Sequence, residues 1–374
     1  MPIFPRKNDM GKRLSFSLLL FIFSYAVHSQ EDTTYVEDDF DFSAFELATE
    51  PAKAFCNNKV LGQSPTTLVG VFLDNMVPHS ITAGSPENEA GLDLSEEAEI
   101  EFANRLALTT NLPVVSRNNL LINLNVVYQR QFYDIPKSVG HPLLRTMKDN
   151  GLTRMGALFT VFKPLNDRNF ILGQAGFELN GDYSFSNITT DDAWRFPVAL
   201  LYGWKPNDRL MYAFGLSRTY LGGALNYVPI VYYYHTFRNQ KWGIEAVVPS
   251  RGRLRYRFSS NSLISAGFNV IGATYALNQW RGYAEEYSPE VNEMINAQAV
   301  ELRRSEIRTG LNYQTKLFGF FWLSAEAGYR INYSFELDED GDFLRFFGTD
   351  EPYFIENEME NAMYFTLGIT YTSP

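Results

Sequence analysis

The stretch LSAEAGYRINYSFE, Leu323 to Glu336, alternates between apolar and polar side chains almost without a break. One parity holds Leu323, Ala325, Ala327, Tyr329, Ile331, Tyr333 and Phe335, and the other holds Ser324, Glu326, Gly328, Arg330, Asn332, Ser334 and Glu336. Because successive side chains of a β-strand point to opposite faces, this pattern predicts a strand with one apolar face and one charged face, about twice the usual length. Strands of soluble sandwiches also alternate, so this stretch alone does not identify the fold.

The same period of two recurs along the rest of the chain. It is found in LLINLNVVYQRQ from Leu120, AGFELNGDY from Ala175, RLRYRF from Arg253, EIRTGLNYQ from Glu306 and MYFTLGITY from Met363. Beyond the N-terminal segment, no stretch has a convincing helical period. The sequence therefore predicts an all-β fold.

The spacers between these segments alternate between short and long. Tight turns are predicted at Pro164–Asn169, Lys205–Arg209, Arg238–Lys241, Ser259–Ser262 and Lys316–Gly319, and longer polar loops at 135–150, 184–192, 220–225, 278–298 and 337–358. Short turns at one end and long loops at the other are typical of a transmembrane β-barrel, whose closed sheet satisfies its backbone hydrogen bonds inside lipid. We expect an up-and-down antiparallel barrel with an apolar outer face.

The number of strands follows from counting back from the C-terminal segment. This count gives thirteen segments, and TTLVGVFLD, Thr66 to Asp74, supplies a fourteenth. An even number places both ends of the barrel on the short-turn side. The alternative is twelve strands, if the hairpin around 248–252 does not reach the membrane interface. Trp204, Trp242 and Trp322 sit beside short turns, where the aromatic girdle of a barrel is expected.

The N-terminus has the features of an export signal. Four basic residues between Arg6 and Arg13 precede the apolar run Leu14–Val27, which is shorter than the roughly 20 residues that span a bilayer. We expect residues 1–29 to be a signal peptide that delivers the chain to the outer membrane. Residues 30–64 carry eight acidic and no basic residues as far as Glu50. They are expected to form a mobile periplasmic extension, with a partner-binding arm as the alternative, ahead of a barrel over residues 65–374.

Charge and cysteine content exclude several classes of protein. The formal charge is −11 and becomes more negative once the basic leader is removed. This argues against a nucleic-acid partner, whose phosphates require basic faces. The single Cys56 can form neither an internal disulfide nor a cysteine zinc site, and it lies too far past the apolar run to anchor a lipid. We expect no cofactor.

The chain also lacks a recognisable catalytic arrangement. Outside the signal, His79 and His141 fall in predicted loops and His235 falls on a strand. Neither the Asp–His pairing of an omptin-like protease nor the Asn–His spacing of an outer-membrane phospholipase is visible, so we expect no enzymatic activity. The run DEDGD, Asp338–Asp342, resembles the start of an EF-hand loop, but its twelfth position is Thr349. We expect an acidic outer loop there and no metal site.

Charged residues on the polar parity are candidates for the lumen lining. They are Glu178, Glu245, Arg253, Arg255, Arg257, Glu306, Arg308, Glu326 and Arg330. A sparse lining with a charge bias would make a selective pore, whereas dense paired charges would close the lumen with a salt-bridge network. Because a fourteen-strand interior is wider than the eight-strand interior that side chains can fill, we favour a conduit, or a partly plugged one.

The stretch VVPSRGRLRYRFSSNSLISAGF, Val247 to Phe268, together with the signal and the amphipathic last strand, resembles uncharacterised outer-membrane β-barrel families of Bacteroidetes-type Gram-negative bacteria. The resemblance implies insertion by the barrel-assembly machinery, which recognises a C-terminal strand ending in an aromatic residue. Here Tyr371 is followed by three further residues, so recognition would have to tolerate an overhang. We expect a porin-like channel for small solutes, surrounded by outer-membrane lipid and lipopolysaccharide. The alternatives are a structural barrel without transport and, further removed, a lipid- or peptide-modifying enzyme.

Overall fold

Fourteen strands pair edge to edge until the sheet closes on itself. The computed structural model describes residues 55–85, 95–136, 138–184, 188, 193–221, 223–280, 300–339 and 355–372. In chain order the elements are β1 (Thr67–Met76), β2 (His79–Ala83), β3 (Glu96–Ile100), β4 (Phe102–Arg117), β5 (Leu120–Asp134), α1 (Pro142–Asp149), β6 (Leu152–Pro164), β7 (Asn169–Gly181), β8 (Trp194–Arg195), β9 (Val198–Asn207), β10 (Leu210–Thr219), β11 (Asn226–Thr236), β12 (Trp242–Val248), β13 (Arg251–Ser259), β14 (Ser262–Ala276), β15 (Val300–Phe318), β16 (Phe321–Glu339), β17 (Glu358–Met359) and β18 (Ala362–Thr372).

The barrel wall follows the order β6-β5-β4-β1-β18-β16-β15-β14-β13-β12-β11-β10-β9-β7, and β6 pairs with β7 to complete the ring. The predicted all-β barrel of fourteen antiparallel strands is confirmed. The alternative of twelve strands is wrong, because β12 and β13, which flank the hairpin after Val248, are hydrogen-bonded to β11 and β14 within the wall. None of the described helices is long and apolar enough to cross a membrane.

Connections at the two ends of the barrel differ in length, as predicted. The pairs β4–β5, β6–β7, β9–β10, β11–β12, β13–β14 and β15–β16 are joined by short turns at one end, which we name the short-turn end. Most connections at the other end, the long-loop end, are longer. The exception there is the two-residue turn between Val248 and Arg251. Thr67 pairs with Thr372, so the barrel begins and ends at the short-turn end.

The stretch from Leu323 lies in β16, and its two faces have different environments, the outer surface of the barrel and the barrel interior. Its apolar positions Ala325–Tyr333 are exposed on the outside, whereas Ser324 and Arg330 are buried on the inside. The alternation changes at a β-bulge, where Ser305 pairs with Ser334 but Glu306 pairs with Asn332. The extra residue, Tyr333, reverses the parity that follows. Phe335, which we predicted on the apolar outer face, is therefore 0% exposed inside the molecule.

The outside of the wall is an apolar belt. Exposed side chains include Val71, Leu73, Leu108, Phe159, Leu200, Phe214, Leu254, Leu311, Ile331, Phe365 and Leu367. An apolar surface of this extent is far larger than a soluble monomer exposes and is the lipid-facing band expected of a barrel that spans a bilayer. Trp204 stacks on Tyr212, and Trp242 packs on Tyr256, both near the short-turn end. Trp322, predicted in the same girdle, is instead buried and faces the interior.

A folded cap covers the long-loop end. It contains the small sheet β17-β2-β3 and the helix α1. The sequence pattern did not predict α1, because eight residues are too few to show a helical period. Its local signals are present: His141 accepts a hydrogen bond as N-cap, Pro142 occupies the first turn and Lys148 the last. The apolar face of α1 packs into the core of the cap, whose fully buried side chains include Ile81, Ile100, Leu143, Leu144, Met147 and Leu337.

The barrel narrows beneath this cap. β13 begins at Arg251, which pairs with Asn269 of β14. The part of β14 after Asn269 therefore has no β13 neighbour, and its last residue, Ala276, pairs instead with Gly181 of β7. At this level the ring closes between β7 and β14 and omits the five strands from β9 to β13. The loop before β11 covers the junction from outside, with the Leu221 carbonyl so close to Gly272 that an added Cβ would lie 2.1 Å from it. Only glycine fits this approach.

Candidate functional site

The barrel interior changes in character from one end to the other. Beneath the apolar cap lies a layer of buried ion pairs, followed by two polar cavities and a chain segment across the short-turn end. All nine residues predicted to line the lumen belong to one of these features or to the wall beside them, as described below. Each feature is built by side chains from strands that are far apart in sequence.

The layer of ion pairs is centred on two carboxylates. The Asp74 carboxylate of β1 forms an ion pair with Arg105 of β4 at 2.9 Å and accepts a hydrogen bond from Arg308 of β15 at 2.5 Å. The Glu306 carboxylate accepts from Arg308 at 2.6 Å and from Arg304 at 2.7 Å. Because Glu306 and its partners are almost completely buried, each charge depends on the others for solvation. We call these five residues the ion network.

The ion network crosses the lumen. β16 and β18 lie between β15 and β1 in the wall, so the Arg308–Asp74 pair is a chord across the interior. Arg304 also reaches the Tyr133 hydroxyl on β5 at 3.4 Å. Above it, Arg330 contacts the thioether sulfurs of two methionines at 3.3 Å and donates to the Glu360 carbonyl at 2.6 Å. At this level the lining is dense and paired, the arrangement that we associated with a closed lumen.

A cavity of about 280 Å³ lies below the ion network, and we call it the arginine cavity. Arg105 and Arg308 form its upper wall, and Arg253 projects from β13 on another side. Arg253 lies 3.6 Å from the Glu326 carboxylate of β16, which also accepts from Asn312 and from the Tyr364 hydroxyl. The remaining lining is mostly uncharged and polar: Thr109, Gln129, Asn269, Gln314, Ser324, Thr366, Thr370 and Thr372, with Phe72 and Trp322.

A second cavity of about 440 Å³ lies beside β5, β6, β7, β10 and β11, and we call it the amide cavity. Its polar lining includes Asn111, Asn123, Asn125, Thr160 and Gln174 with the charged Lys59 and Arg251, and its apolar lining includes Leu121, Phe162, Phe170, Leu172 and Met211. Asn125 donates to the Thr160 hydroxyl at 3.1 Å, and Gln174 donates to the same oxygen at 3.1 Å. The lining of this cavity is therefore a mixture of polar and apolar groups.

Residues 55–66 lie across the short-turn end, and we call them the mouth segment. Cys56 and Val60 are buried in an apolar cluster with Phe162 and Phe170. The remaining contacts are polar: the Leu61 amide donates to the Asp208 carbonyl at 2.7 Å. Gly62 has a φ of +71°, a conformation that favours glycine. This turn brings the carbonyls of the segment against the barrel.

Two of the predicted lumen residues, Glu245 and Arg257, bind the mouth segment, and Arg255 pairs with Glu245. Glu245 accepts a hydrogen bond from the Ser64 amide at 2.8 Å and forms an ion pair with Arg255 at 3.0 Å. Arg257 donates to the Gly62 and Gln63 carbonyls at 3.1 and 3.0 Å. Residues 55–64, which we placed in a mobile extension, are thus packed against the barrel, and the folded unit begins before residue 65. Residues 1–54, with the predicted signal peptide and acidic run, lie outside the described residues.

The other predicted residues divide among the remaining features. Glu306 and Arg308 belong to the ion network, with Arg330 directly above, and Arg253 and Glu326 line the arginine cavity. Glu178 is paired with Arg154 on the neighbouring strand at 2.5 Å. Asp74, Arg105 and Arg304 were missed, although each continues the polar parity of its strand. The available signal was their charge on that parity within segments already predicted to be strands.

The three histidines of the described ranges lie outside the barrel lumen. His79 and His141 are in the cap, and His235 lies on the outer face of β11 beside Tyr233. The His141 Nδ1 accepts from the Leu143 amide at 3.2 Å, and its Nε2 lies 3.1 Å from the Gly84 carbonyl. This pattern fits the neutral imidazole, and burial lowers the pKa of His141 to about 4.

Within the described ranges, no group of three or more His, Cys, Asp or Glu side chains is arranged to hold a metal ion. Asp338, the first residue of the acidic run, pairs with Arg303 on the adjacent strand. Residues 340–342 of the run lie outside the described residues. The structure therefore places the polar chemistry of this part of the chain in the two cavities and the ion network.

Comparisons with solved structures give low-identity similarities to outer-membrane barrels. The COG4313 outer membrane channel from Pseudomonas putida F1 is 9% identical, with a TM-score of 0.38 over 87% of this chain and 99% of that chain. A Pseudomonas aeruginosa FadL homologue is 9% identical, with a TM-score of 0.34 over 83% and 91%. The outer membrane protease OmpT from Escherichia coli is 10% identical, with a TM-score of 0.28 over 83% and 99%. The fold assignment above rests on the strand pairing of this chain alone.

Comparisons of sequence give a family without an assigned activity. No curated protein matches the chain. A family model described as a domain of unknown function (DUF6268) matches residues 144–372. The matched region runs from α1 through the last barrel strand and includes more than half of the 374 residues. The chain therefore belongs to the family defined by this domain, DUF6268.

Proposed function

We propose that this protein is a gated channel for small polar solutes in the outer membrane of a Gram-negative bacterium, with both mouths closed in this structure. The apolar belt meets the acyl chains. The cap faces outward among lipopolysaccharide, and the short-turn end with the mouth segment faces the periplasm, as is usual for such barrels. An export signal and the barrel-assembly machinery would bring the chain there.

One observation carries this proposal: the interior between the two closures is polar and unfilled. Protein interiors are normally close-packed, and well-packed apolar side chains are often more stable than buried polar ones. A barrel needed only as a scaffold would gain stability by filling its lumen. The arginine and amide cavities of about 280 and 440 Å³ instead keep hydrogen-bonding groups available to a solute.

A structural barrel without transport is the second candidate. The observation that favours it is the ion network, which ties β15 to β1, β4 and β5 across the lumen. A solute could pass this layer only if these pairs rearranged together with the cap. The two candidates therefore differ in whether the interior conducts at all.

Single-channel recording in planar bilayers tests the proposal. We expect the full-length protein to show openings that depend on voltage. The Leu61 amide bonds to the Asp208 carbonyl, and both side chains are exposed, so a double cysteine variant, Leu61→Cys with Asp208→Cys in a Cys56→Ser background, should tether the mouth segment. Oxidation should abolish the openings and a reductant should restore them. The matched control is Leu61→Cys alone in the same background, which has no partner thiol.

The outcomes separate the candidates. Openings that disappear only in the oxidised double variant would assign the gate to the mouth segment. Openings that persist after oxidation would place the gate elsewhere in the barrel. A protein that remains silent at every voltage, reduced or oxidised, would reject the channel and leave the structural barrel.

A further inference from the structure

We infer that the arginine cavity is a binding site for a small oxyanion, carrying either carboxylate or phosphate groups. The inference rests on the proposed function in one respect: it takes this anion to be the solute that the channel carries. The site itself is argued from the contacts of its arginines. These contacts show that the cavity has more cationic groups than carboxylates to pair with them.

The charge balance is the first observation. The cavity lining and the adjoining ion network contain four guanidinium groups, Arg105, Arg253, Arg304 and Arg308, and three carboxylates, Asp74, Glu306 and Glu326. A fifth guanidinium, Arg330, lies above them, and its hydrogen bonds in the described part of the chain go to thioether sulfurs and a backbone carbonyl. The surroundings thus hold an excess of two positive charges. Buried excess charge is unfavourable unless a counter-ion compensates it.

The second observation is that guanidinium nitrogens remain unpaired. Arg308 has a side chain that is 3% exposed, yet its Nη2 has no hydrogen-bond partner. The Nε of Arg105 is also buried and without a partner. Both arginines line the upper wall of the cavity. An oxyanion accepts several N–H groups at once, with the planar fork geometry that guanidinium offers.

The third observation is the loose pairing of Arg253. Its closest approach to Glu326 is 3.6 Å, whereas the pairs in the ion network lie between 2.5 and 2.9 Å. Glu326 keeps two other donors, Asn312 at 2.8 Å and the Tyr364 hydroxyl at 2.7 Å. Arg253 can therefore turn toward an anion without leaving a carboxylate unsolvated.

The remaining lining fits the same ligand. The neutral amides of Gln129, Asn269 and Gln314 line the cavity with the arginines, and the cavity volume of about 280 Å³ is near the lower limit of small-molecule pockets. Pro65, Thr67 and Thr372 line its other end, beside the mouth segment. A small anion can enter from that side, and the ion network forms the closed end of its path.

Calorimetric titration of the detergent-solubilised full-length protein provides the test, because it needs no conduction. The probes are succinate, inorganic phosphate and choline. We expect saturable binding of succinate, phosphate or both, and none of choline. Arg253→Gln should weaken the binding about tenfold, as expected for loss of one charge-assisted contact, and Arg253→Lys should recover part of it. Arg168→Gln, which removes an exposed arginine from a turn far from the cavity, should change nothing.

A second variant predicts a change of opposite sign. Glu326→Gln keeps the shape of the side chain and can still accept hydrogen bonds, but it removes the carboxylate that competes for Arg253. Anion binding should therefore tighten about threefold, whereas a residue with only a structural role would leave binding unchanged or weaker.

Binding by succinate alone would identify a carboxylate site, and binding by phosphate alone a phosphate site. Absence of saturable binding by both anions would overturn the inference, as would equal binding in Arg253→Gln or equal binding of choline. Anion binding by a protein that is silent in bilayers would retain the site and reject the channel. Conductance without anion binding would retain the channel and reject the anion site.

Discussion

The two ends of the barrel are closed in different ways. At the long-loop end, α1 and the cap sheet bury a continuous apolar core that includes Leu143, Leu144 and Met147, and each such side chain contributes about 2 kcal/mol when fully buried. At the short-turn end, the mouth segment buries only Cys56 and Val60 in an apolar cluster. Its other contacts are hydrogen bonds, each worth about 1 kcal/mol net.

This difference indicates which closure moves more easily. The cap has an apolar core of its own, so opening the cap would expose this apolar surface to water and would break the contacts between the cap and the ion network below. The mouth segment is held mainly by polar contacts that water can replace. We therefore expect the short-turn end to open first and the long-loop end to determine the stability of the molecule. The following predictions test this ordering, beginning with the largest effect.

Asp74→Asn should destabilise the barrel by about 4 kcal/mol, because it leaves Arg105 and Arg308 buried without their shared carboxylate. Equilibrium urea unfolding in detergent micelles measures the change. Asp167→Asn, at an exposed turn, is the matched control and should shift stability by less than about 0.5 kcal/mol. An equally small shift for Asp74→Asn would show that the ion network does not hold the wall together.

Leu144→Ala should destabilise the cap by about 3 kcal/mol through loss of buried surface and the cavity left behind. Hydrogen exchange of α1 measures this change, and amides of the barrel strands should keep their protection. Lys148→Ala removes only a weak pair to Asp149 at 3.9 Å and should have little effect. If protection fell equally in the barrel strands, the cap and the wall would form one cooperative unit.

The cap should also loosen as the pH falls from about 6.5 to 4. The folded pKa of His141 is lowered to about 4 from an ordinary value of 6.5. The stabilisation from its neutral form is therefore present above pH 6.5 and lost as the pH falls toward 4. At pH 5 the loss is about 2 kcal/mol.

Hydrogen exchange of α1 at pH 7.5 and pH 5, corrected for intrinsic rates, measures this dependence. His141→Asn provides the control, because an asparagine can still cap the helix but does not titrate. Its pH dependence should be flatter than that of the wild type. Identical profiles for the two proteins would show that another group controls the cap.

Val60→Ala should weaken the mouth segment by about 1 kcal/mol. Cys56 lies in the same apolar cluster, so the rate at which iodoacetamide labels its thiol reports opening of the segment. The rate should rise about fivefold, while the urea midpoint of the barrel stays unchanged. Leu61→Ala, at a position that is 49% exposed, should leave the labelling rate as it is. Comparable labelling of both variants would contradict the role assigned to Val60.

The sequence predicted the architecture because the barrel wall is a local pattern. Alternation, turn length and strand parity act over a few residues, and they predicted the fourteen strands, although the inward charges Asp74, Arg105 and Arg304 were missed. Phe335 was misplaced because a bulge at Tyr333 depends on pairing with β15. The helix α1 was missed because its eight residues form one apolar face only against the cap.

The partners of the charged residues could not be predicted in the same way. Asp74 and Arg308 meet because the sheet closes with a particular register, and neither strand specifies that closure by itself. Arg257 was assigned to the lumen, but nothing in its strand indicated that it would bind carbonyls of the mouth segment. Contacts across a closed barrel depend on the whole ring.

The unequal height of the wall has a consequence for the surrounding membrane. β15 and β16 contain 19 residues each, whereas β12 contains 7 and β13 contains 9. A tilted strand needs roughly 9 to 11 residues to cross the hydrocarbon layer. A bilayer of uniform thickness cannot match both sides of such a cylinder, so the protein leans or the lipid thins beside its low side. The membrane is therefore distorted on one side of the barrel, beside β12 and β13. Neighbouring membrane proteins are expected to approach the barrel in a preferred orientation relative to this side.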